Sequence, residues 1–344
     1  MAYLWPSFGA KVRILRWESP SRSLQSFLPA TTSTIIHSLE QVYFQMHPLS
    51  EVNGEESCKA IASFLSLHRS TVRSLSFLSI SRILYKNVMD VSCLFDMLGY
   101  FPQLRHLCLD LGIVLDTYIQ MSTPTAIARF LNDHAKTLQS LTVKVSGISR
   151  VFRHMFRLLE IEQGFHIPFD VSLPSLLTLS ISHECIPGSD MPVMKSAVLA
   201  LIPQFSDTVS TLLYNAFTDN IALTYEEVNT VVSAFSHRSP ETGLKVLLLA
   251  VDILSPELVD LLANTLPGLV KLTLKVRNVQ SHSQQFKVTP DIFRMLDGFR
   301  AEMKTRLYDE WALRRLTVVS LSDFDQSSIA EIITQSIPNI QKWT

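Results

Sequence analysis

The chain has 344 residues, 47% of them hydrophobic and 18% charged, which supplies a sizeable core and excludes a disordered chain. Lys and Arg (30) nearly cancel Asp and Glu (31), leaving a net charge of −1 and no long-range field to draw the protein onto nucleic acid or an acidic membrane. Aromatic residues are scattered, without the basic interleaving of a single-strand stacking platform. Cys58, Cys93, Cys108 and Cys185 are far apart with no CxxC, so the expectation is lone thiols in a reducing compartment, neither a disulfide framework nor a zinc site. Met1–Gly9 has no basic flank and no apolar run of signal length, and the apolar run Ala197–Ile202 is too short to span a bilayer. No Asn is followed two places later by Ser or Thr. A cytoplasmic or nuclear protein is expected.

In chain order, one phrase returns. Weak copies begin at Val12, Leu39 (the least clear) and Val72. Then follow Leu104-Arg-His-Leu107-Cys-Leu109, Leu138-Gln-Ser-Leu141-Thr-Val143 and Leu176-Leu-Thr-Leu179-Ser-Ile181, with a weak copy at Val209. Leu244-Lys-Val-Leu247-Leu-Leu249, Leu269-Val-Lys-Leu272-Thr-Leu274, Leu313-Arg-Arg-Leu316-Thr-Val318 and a weak copy at Ile340 complete the series. From residue 72 the spacings are 32, 34, 38, 33 and 35, and then 25, 44 and 27. Two lead-ins precede the phrase. One is apolar-Pro-x-Leu, at Phe101-Pro102, Leu173-Pro174, Leu266-Pro267 and Ile337-Pro338; the other is His68-Arg-Ser-Thr71 and its echo His134-Ala-Lys-Thr137. Proline fixes φ and cannot extend a helix, so it suits a helix-to-strand turn. Between the phrases, Thr123-Pro124, Ser255-Pro256-Glu257 and Thr289-Pro290-Asp291 each place a capping hydroxyl ahead of a first-turn Pro, and Thr224-x-x-Glu227 reads as a capping box.

In LxxLxL the leucines point inward and the residues between them outward. One strand and one helix cannot bury this apolar face alone, but stacked units can. The expectation is therefore an α/β leucine-rich-repeat solenoid, a horseshoe of about ten irregular repeats with a concave parallel sheet and convex helices, spanning 1–344 as a single domain. A period near 33 residues implies full helices.

The strand phrase and its lead-ins resemble the irregular repeats of fungal F-box proteins. Trp5-Pro6-Ser7-Phe8 before Val12-Arg13-Ile14-Leu15, and Phe27-Leu28-Pro29 before the second strand, are similar to the opening repeats there. The resemblance implies a substrate receptor of a cullin-type ubiquitin ligase, in which an F-box docks the ligase adaptor and the repeats hold the target. No F-box phrase precedes Trp5, and the chain stops at Trp343-Thr344 in mid-strand, so the F-box is expected to be lost or to lie outside this sequence. A truncated, non-functional fragment is one alternative. A GTPase-regulator-type repeat protein is another, although no distinguishing motif marks it.

Catalytic constellations are not found. The chain has only 10 glycines and none form a phosphate loop, and GxSxG and HExxH are absent. His183-Glu184-Cys185 alternates faces on a strand and is not expected to share a metal. His68 and His134 recur at one repeat position and read as turn-fixing residues. Lys144, Lys271, Lys275, Arg314 and Arg315 could form a basic stripe, but the near-zero net charge favours solvated faces. The reading is a non-catalytic protein–protein interaction module without cofactor, nucleic-acid or membrane partner. Outward positions predict an exposed apolar patch of Leu213, Val246, Leu248 and Ala250 beside Lys271 and Lys275, the candidate partner-binding residues. A one-residue slip in register would exchange every outward residue for an inward one.

Overall fold

A computed structural model describes residues 12–18, 38–46, 54–79, 92–110, 122–146, 171–184, 199, 202–216, 222–280, 292–321 and 326–343. The segments Trp5–Phe8 and Phe27–Pro29, the pair Thr289-Pro290, and Cys185 lie outside them. The chain forms two compact units, Met1–Leu176 with Glu184–Met194 and Leu177–His183 with Lys195–Thr344.

The first unit carries strands β1 (Ile14–Glu18), β2 (Gln41–Met46), β3 (Ser74–Ser79), β4 (His106–Asp110) and β5 (Ser140–Ser146). Its helices are α1 (Gly54–Leu67), α2 (Ser92–Met97) and α3 (Ser122–Asp133). The strands pair in sequence order, all parallel. The second unit carries β6 (Thr178–Glu184), β7 (Thr211–Ala216), β8 (Val246–Leu254), β9 (Lys271–Val279), β10 (Arg315–Ser320) and β11 (Lys342–Trp343). Its helices are α4 (Tyr225–Ser233), α5 (Pro256–Thr265), α6 (Ile292–Met303) and α7 (Gln326–Gln335), and a 3₁₀ turn spans Ile202–Phe205. These strands too are parallel and sequential. Each unit is thus an α/β leucine-rich-repeat solenoid.

Register follows the phrase. Ile14 pairs with Gln41, Gln41 with Ser74, Ser74 with His106 and His106 with Ser140. In the second unit Thr178 pairs with Thr211, then Val246, Lys271, Arg315 and Lys342 follow in turn. Each of these is the third residue of a predicted phrase, so the weak copies at Val12, Leu39, Val72, Val209 and Ile340 are in step with the strong ones. Within each unit, the carbonyl just ahead of a strand accepts two successive amides of the next repeat. Arg73 and Ser74 donate to the Glu40 carbonyl at 2.7 and 3.0 Å, Arg105 and His106 to that of Arg73, and Lys245 and Val246 to that of Ser210. Both successive amides of the turn thereby find a partner.

The inward residues form the core. In the first unit Phe44 stacks on Phe77 with centroids 6.0 Å apart, Phe77 meets Phe95 edge-on at 5.6 Å, and Phe95 meets Phe130 at 5.3 Å. A line of aromatic rings therefore joins β2 and β3 to α2 and α3, placing these helices on the sheet's inward side. In the second unit Leu212, Tyr214, Leu247, Leu249, Leu272, Leu274, Leu316 and Val318 are all buried, each contributing about 1.5–3 kcal/mol by leaving water.

Capping chemistry fits the sequence reading. The Ser255 hydroxyl accepts from the Leu258 amide at 3.3 Å, with Pro256 at the first helical position. Thr224 and Glu227 form a reciprocal box, in which the Thr224 amide donates to Glu227 Oε2 at 2.7 Å.

The two lead-ins are two turn types. In the threonine type, the amides of Thr71 and Val72 both donate to the His68 carbonyl, as Thr137 and Leu138 do to that of His134. Both threonine hydroxyls donate to the same carbonyl, at 3.2 Å in each case. Phe205-Ser-Asp-Thr208-Val209 is a third copy with Phe in place of His. In the proline type only the strand-leading residue bonds back: Leu104 to Phe101, Leu176 to Leu173, Leu269 to Leu266 and Ile340 to Ile337.

Adjacent leucines on β8 test the register. Leu249→Lys buries an ammonium in the core and is expected to lower stability by several kcal/mol, whereas Leu248→Lys is expected to cost under about 1 kcal/mol. Urea midpoints of the two variants check this, and equal losses would refute the assigned register.

Candidate partner-binding face

The side of each sheet away from the helices is built from the third, fifth and seventh residues of each phrase. In the second unit, pairing sets these residues in rows. One row runs Thr178, Thr211, Val246, Lys271, Arg315, Lys342, and the next runs Ser180, Leu213, Leu248, Thr273, Thr317. A third holds Ala250, Lys275 and Val319. The face therefore changes character across the strands. It is hydroxyl-rich on β6, apolar on β7 and β8, and basic from β9 to β11.

Of the six predicted partner-binding residues, Lys271 is exposed, and Leu213, Val246, Leu248 and Lys275 are half-buried. Leu213 and Leu248 are direct register partners, and Val246 is the partner of Lys271. Ala250 departs from the expectation, at 0% exposure. Beyond Leu248 the neighbour of β8 is the short Ala222–Thr224 segment, no longer β7. The Leu223 amide donates to the Ala250 carbonyl at 2.8 Å, and the Asp252 amide donates to that of Leu223 at 2.9 Å. A methyl group flanked by that segment and by the longer Lys275 is too short to reach solvent. Ser76 is covered in the same way, between its register partners Tyr43 and Cys108. The apolar patch is therefore Leu213, Val246 and Leu248. Past it, Arg277 pairs with Asp252 at 3.3 Å.

Near the patch, α6 packs with α5 and α7 and against β9. In the first unit the outward residues are mostly polar: Gln41, Tyr43, Ser74, His106, Ser140, Thr142 and Lys144. Arg16 lies over the Tyr43 ring, 5.1 Å from its centroid.

Of the two recurring histidines, His134 holds a turn through its ring. His134 is 1% exposed, and its ring is in a defined tautomer. The Phe101 amide donates to Nε2 at 2.9 Å, so Nε2 is unprotonated and Nδ1–H donates to the Phe130 carbonyl at 2.6 Å. One imidazole thus ties a threonine-type turn to the proline-type turn of the preceding repeat. Burial pushes its pKa down, partly offset by the Phe130 carbonyl and Asp133. His68 is likewise buried, its ring 4.8 Å from that of Phe64. Burial, then Arg105, also lowers His106.

Two polar clusters escaped sequence reading because their members are far apart in the chain. Arg306 Nε donates to both Asp260 oxygens at 3.0 and 3.2 Å, Arg306 also lies 3.6 Å from Glu257, and the Tyr308 hydroxyl donates to Asp260 at 2.6 Å. Burial, and then Asp260, hold the Tyr308 hydroxyl far above the usual phenol range. The cluster pins the chain after α6 onto α5. Arg238 Nη1 donates to the Ser206 and Val209 carbonyls at 3.0 and 2.7 Å, and Nη2 donates to that of Thr242. It satisfies a helix-to-strand turn much as His134 does. Among the described residues no helix is long and apolar enough to cross a membrane.

Each unit is a repeat solenoid with an open sheet face. No family model matches the chain, and no curated protein matches it. Among solved structures, a Bacteroides fragilis protein determined as a structural-genomics target is similar at 17% identity and a TM-score of 0.40, with 78% of this chain and 69% of that chain covered.

The His134 geometry sets the sign of a pH effect. The folded state prefers the neutral ring, so its contribution is complete above the unfolded value of 6.5 and is lost as pH falls below it. His106 adds to the same slope. His134→Ala leaves the Phe101 amide unpaired and is expected to cost about 1–3 kcal/mol at neutral pH and above. Urea midpoints measured on either side of 6.5 are expected to show the gap to wild type narrowing as the solution is acidified.

Proposed function

We propose that this chain is a non-catalytic protein-binding module whose sheet face on β7, β8 and β9 receives a partner. The observation that carries the reading is the register contact of Leu213 with Leu248, beside Val246. It places three aliphatic side chains together and half-buried on a sheet face, rimmed by Lys271 and Lys275. Apolar clusters with a charged rim are typical of protein interfaces. Parallel repeats suit this role because each strand offers three outward positions whose identity is free of the core.

The finer reading follows from the resemblance of the repeat phrases and their lead-ins to fungal F-box proteins. On it, the face is the target-holding part of a cullin-type ubiquitin-ligase receptor in the cytoplasm or nucleus. The ligase adaptor would then be recruited by an F-box lying outside this sequence.

Native affinity capture is the test. The wild-type chain is expected to retain a stable protein partner, and Leu213→Arg with Leu248→Arg is expected to reduce recovery at least about tenfold, with an unchanged urea midpoint. Co-recovery of a cullin and its adaptor supports the ligase reading. Recovery of a partner equally by both proteins moves the site elsewhere, and recovery of none by the wild type counts against the module.

A further inference from the structure

A second property of the same face concerns charge. Lys271, Arg315 and Lys342 are consecutive register partners on β9, β10 and β11, and all three are exposed. Adjacent parallel strands lie about 4.8 Å apart, so three cations occupy a line of roughly 10 Å. Like charges placed side by side on a sheet repel and destabilise it. Fold stability therefore does not account for the row.

Several other cations among the described residues have a carboxylate beside them. Arg13 lies near Glu40, Arg129 near Asp96, Arg277 near Asp252, Arg300 near Asp297, and Arg306 near Asp260 and Glu257. No such carboxylate lies beside Lys271, Arg315 or Lys342 among the described residues. No Asp or Glu occupies the third, fifth or seventh position of any phrase from β6 to β11. At its β8 end the row continues directly into Val246, with Leu248 in the row beyond.

We propose that an acidic, extended segment of a partner protein crosses β8 to β11, its carboxylates on Lys271, Arg315 and Lys342 and an apolar side chain on Val246 and Leu248. This rests on the protein-binding reading above and names the chemistry of the partner. In an extended chain, side chains on one side recur about every 6.8 Å, so alternate acidic residues match the row within the reach of flexible Lys and Arg arms. Arg315, at the centre, offers the planar fork that binds a carboxylate through two parallel hydrogen bonds. A nucleic-acid strand fits less well. The chain has a net charge of −1, and the row adjoins aliphatic side chains in place of the aromatic platform on which bases stack.

The probe is a fluorescein-labelled peptide with Glu at every second position and Leu or Ser between, compared with its Gln counterpart by fluorescence anisotropy on the full chain at low salt. The acidic peptide is expected to bind at least about tenfold more tightly than the Gln form, and to weaken as salt is raised. Lys271→Glu with Arg315→Glu is expected to remove that preference, Lys271→Gln with Arg315→Gln to reduce it, and Lys304→Glu, just past α6, to leave it intact. Urea midpoints establish that the variants fold. Equal binding of the Gln peptide, no binding, indifference to both charge variants, or tighter binding of an oligothymidylate overturns the proposal. The two readings fail separately. If charge reversal spares a captured partner that Leu213→Arg with Leu248→Arg abolishes, the acidic partner falls and the protein-binding module stands. If neither variant alters capture, the acidic partner falls and the binding site lies elsewhere on the chain.

Discussion

A strand carrying LxxLxL has two sets of needs that its own repeat cannot meet. Its leucines require a covering layer, and the backbone amides just ahead of it require acceptors. Neighbouring repeats supply both: the amides ahead of a strand donate to one carbonyl of the preceding repeat, and the inward leucines of adjacent strands come side by side. The coupling is local, so a repeat contributes stability only in the company of its neighbours. Outward positions are exempt from both needs. That exemption leaves β6 to β11 free to display hydroxyls, then aliphatic groups, then cations.

The turns between helix and strand solve a narrower problem. A helix that ends beside a sheet leaves carbonyls and amides in an interior where water cannot serve them. Three solutions occur here. Proline removes one donor from the turn altogether. Threonine adds a hydroxyl to a carbonyl that already accepts two amides. A longer side chain from the next repeat reaches back, as His134 does to Phe101 and Arg238 does to Ser206 and Val209. The third solution binds neighbouring repeats on the side away from the sheet face, and Trp311 follows it when its indole donates to the Leu266 carbonyl at 3.0 Å.

Most of the strand architecture is legible in the sequence because one short phrase encodes both alternation and pairing. Even Leu39, with the least clear phrase, falls into step once its neighbours are placed, since Gln41 has Ile14 on one side and Ser74 on the other. The threonine turn was partly legible. Thr208 stands directly before Val209 as Thr71 stands before Val72, yet Phe205 in place of histidine hid the third copy. The burial of Ala250 was not legible, because it depends on Leu223, 27 residues earlier, displacing β7 from the edge of β8. The Asp260–Arg306–Tyr308 cluster was invisible for a similar reason: no local pattern joins residues 46 and 48 apart. The three-cation row lay in plain sight as Lys271, Arg315 and Lys342. It gained meaning only when pairing showed that spacings of 44 and 27 both bring the third residue of one phrase to the third of the next.

That constancy has an evolutionary consequence. Val246 meets Lys271 after 25 residues and Lys271 meets Arg315 after 44, and the strands are equally in step in both cases. The variable length leaves the register unchanged, and among the described residues of the longer connection α6 packs with its neighbouring helices and against β9. An insertion or deletion there leaves the order of displayed side chains untouched, while a single substitution at an outward position rewrites one letter of it. Such a chain can diverge in length and keep its specificity, or keep its length and acquire a new partner. The two kinds of change are inherited independently.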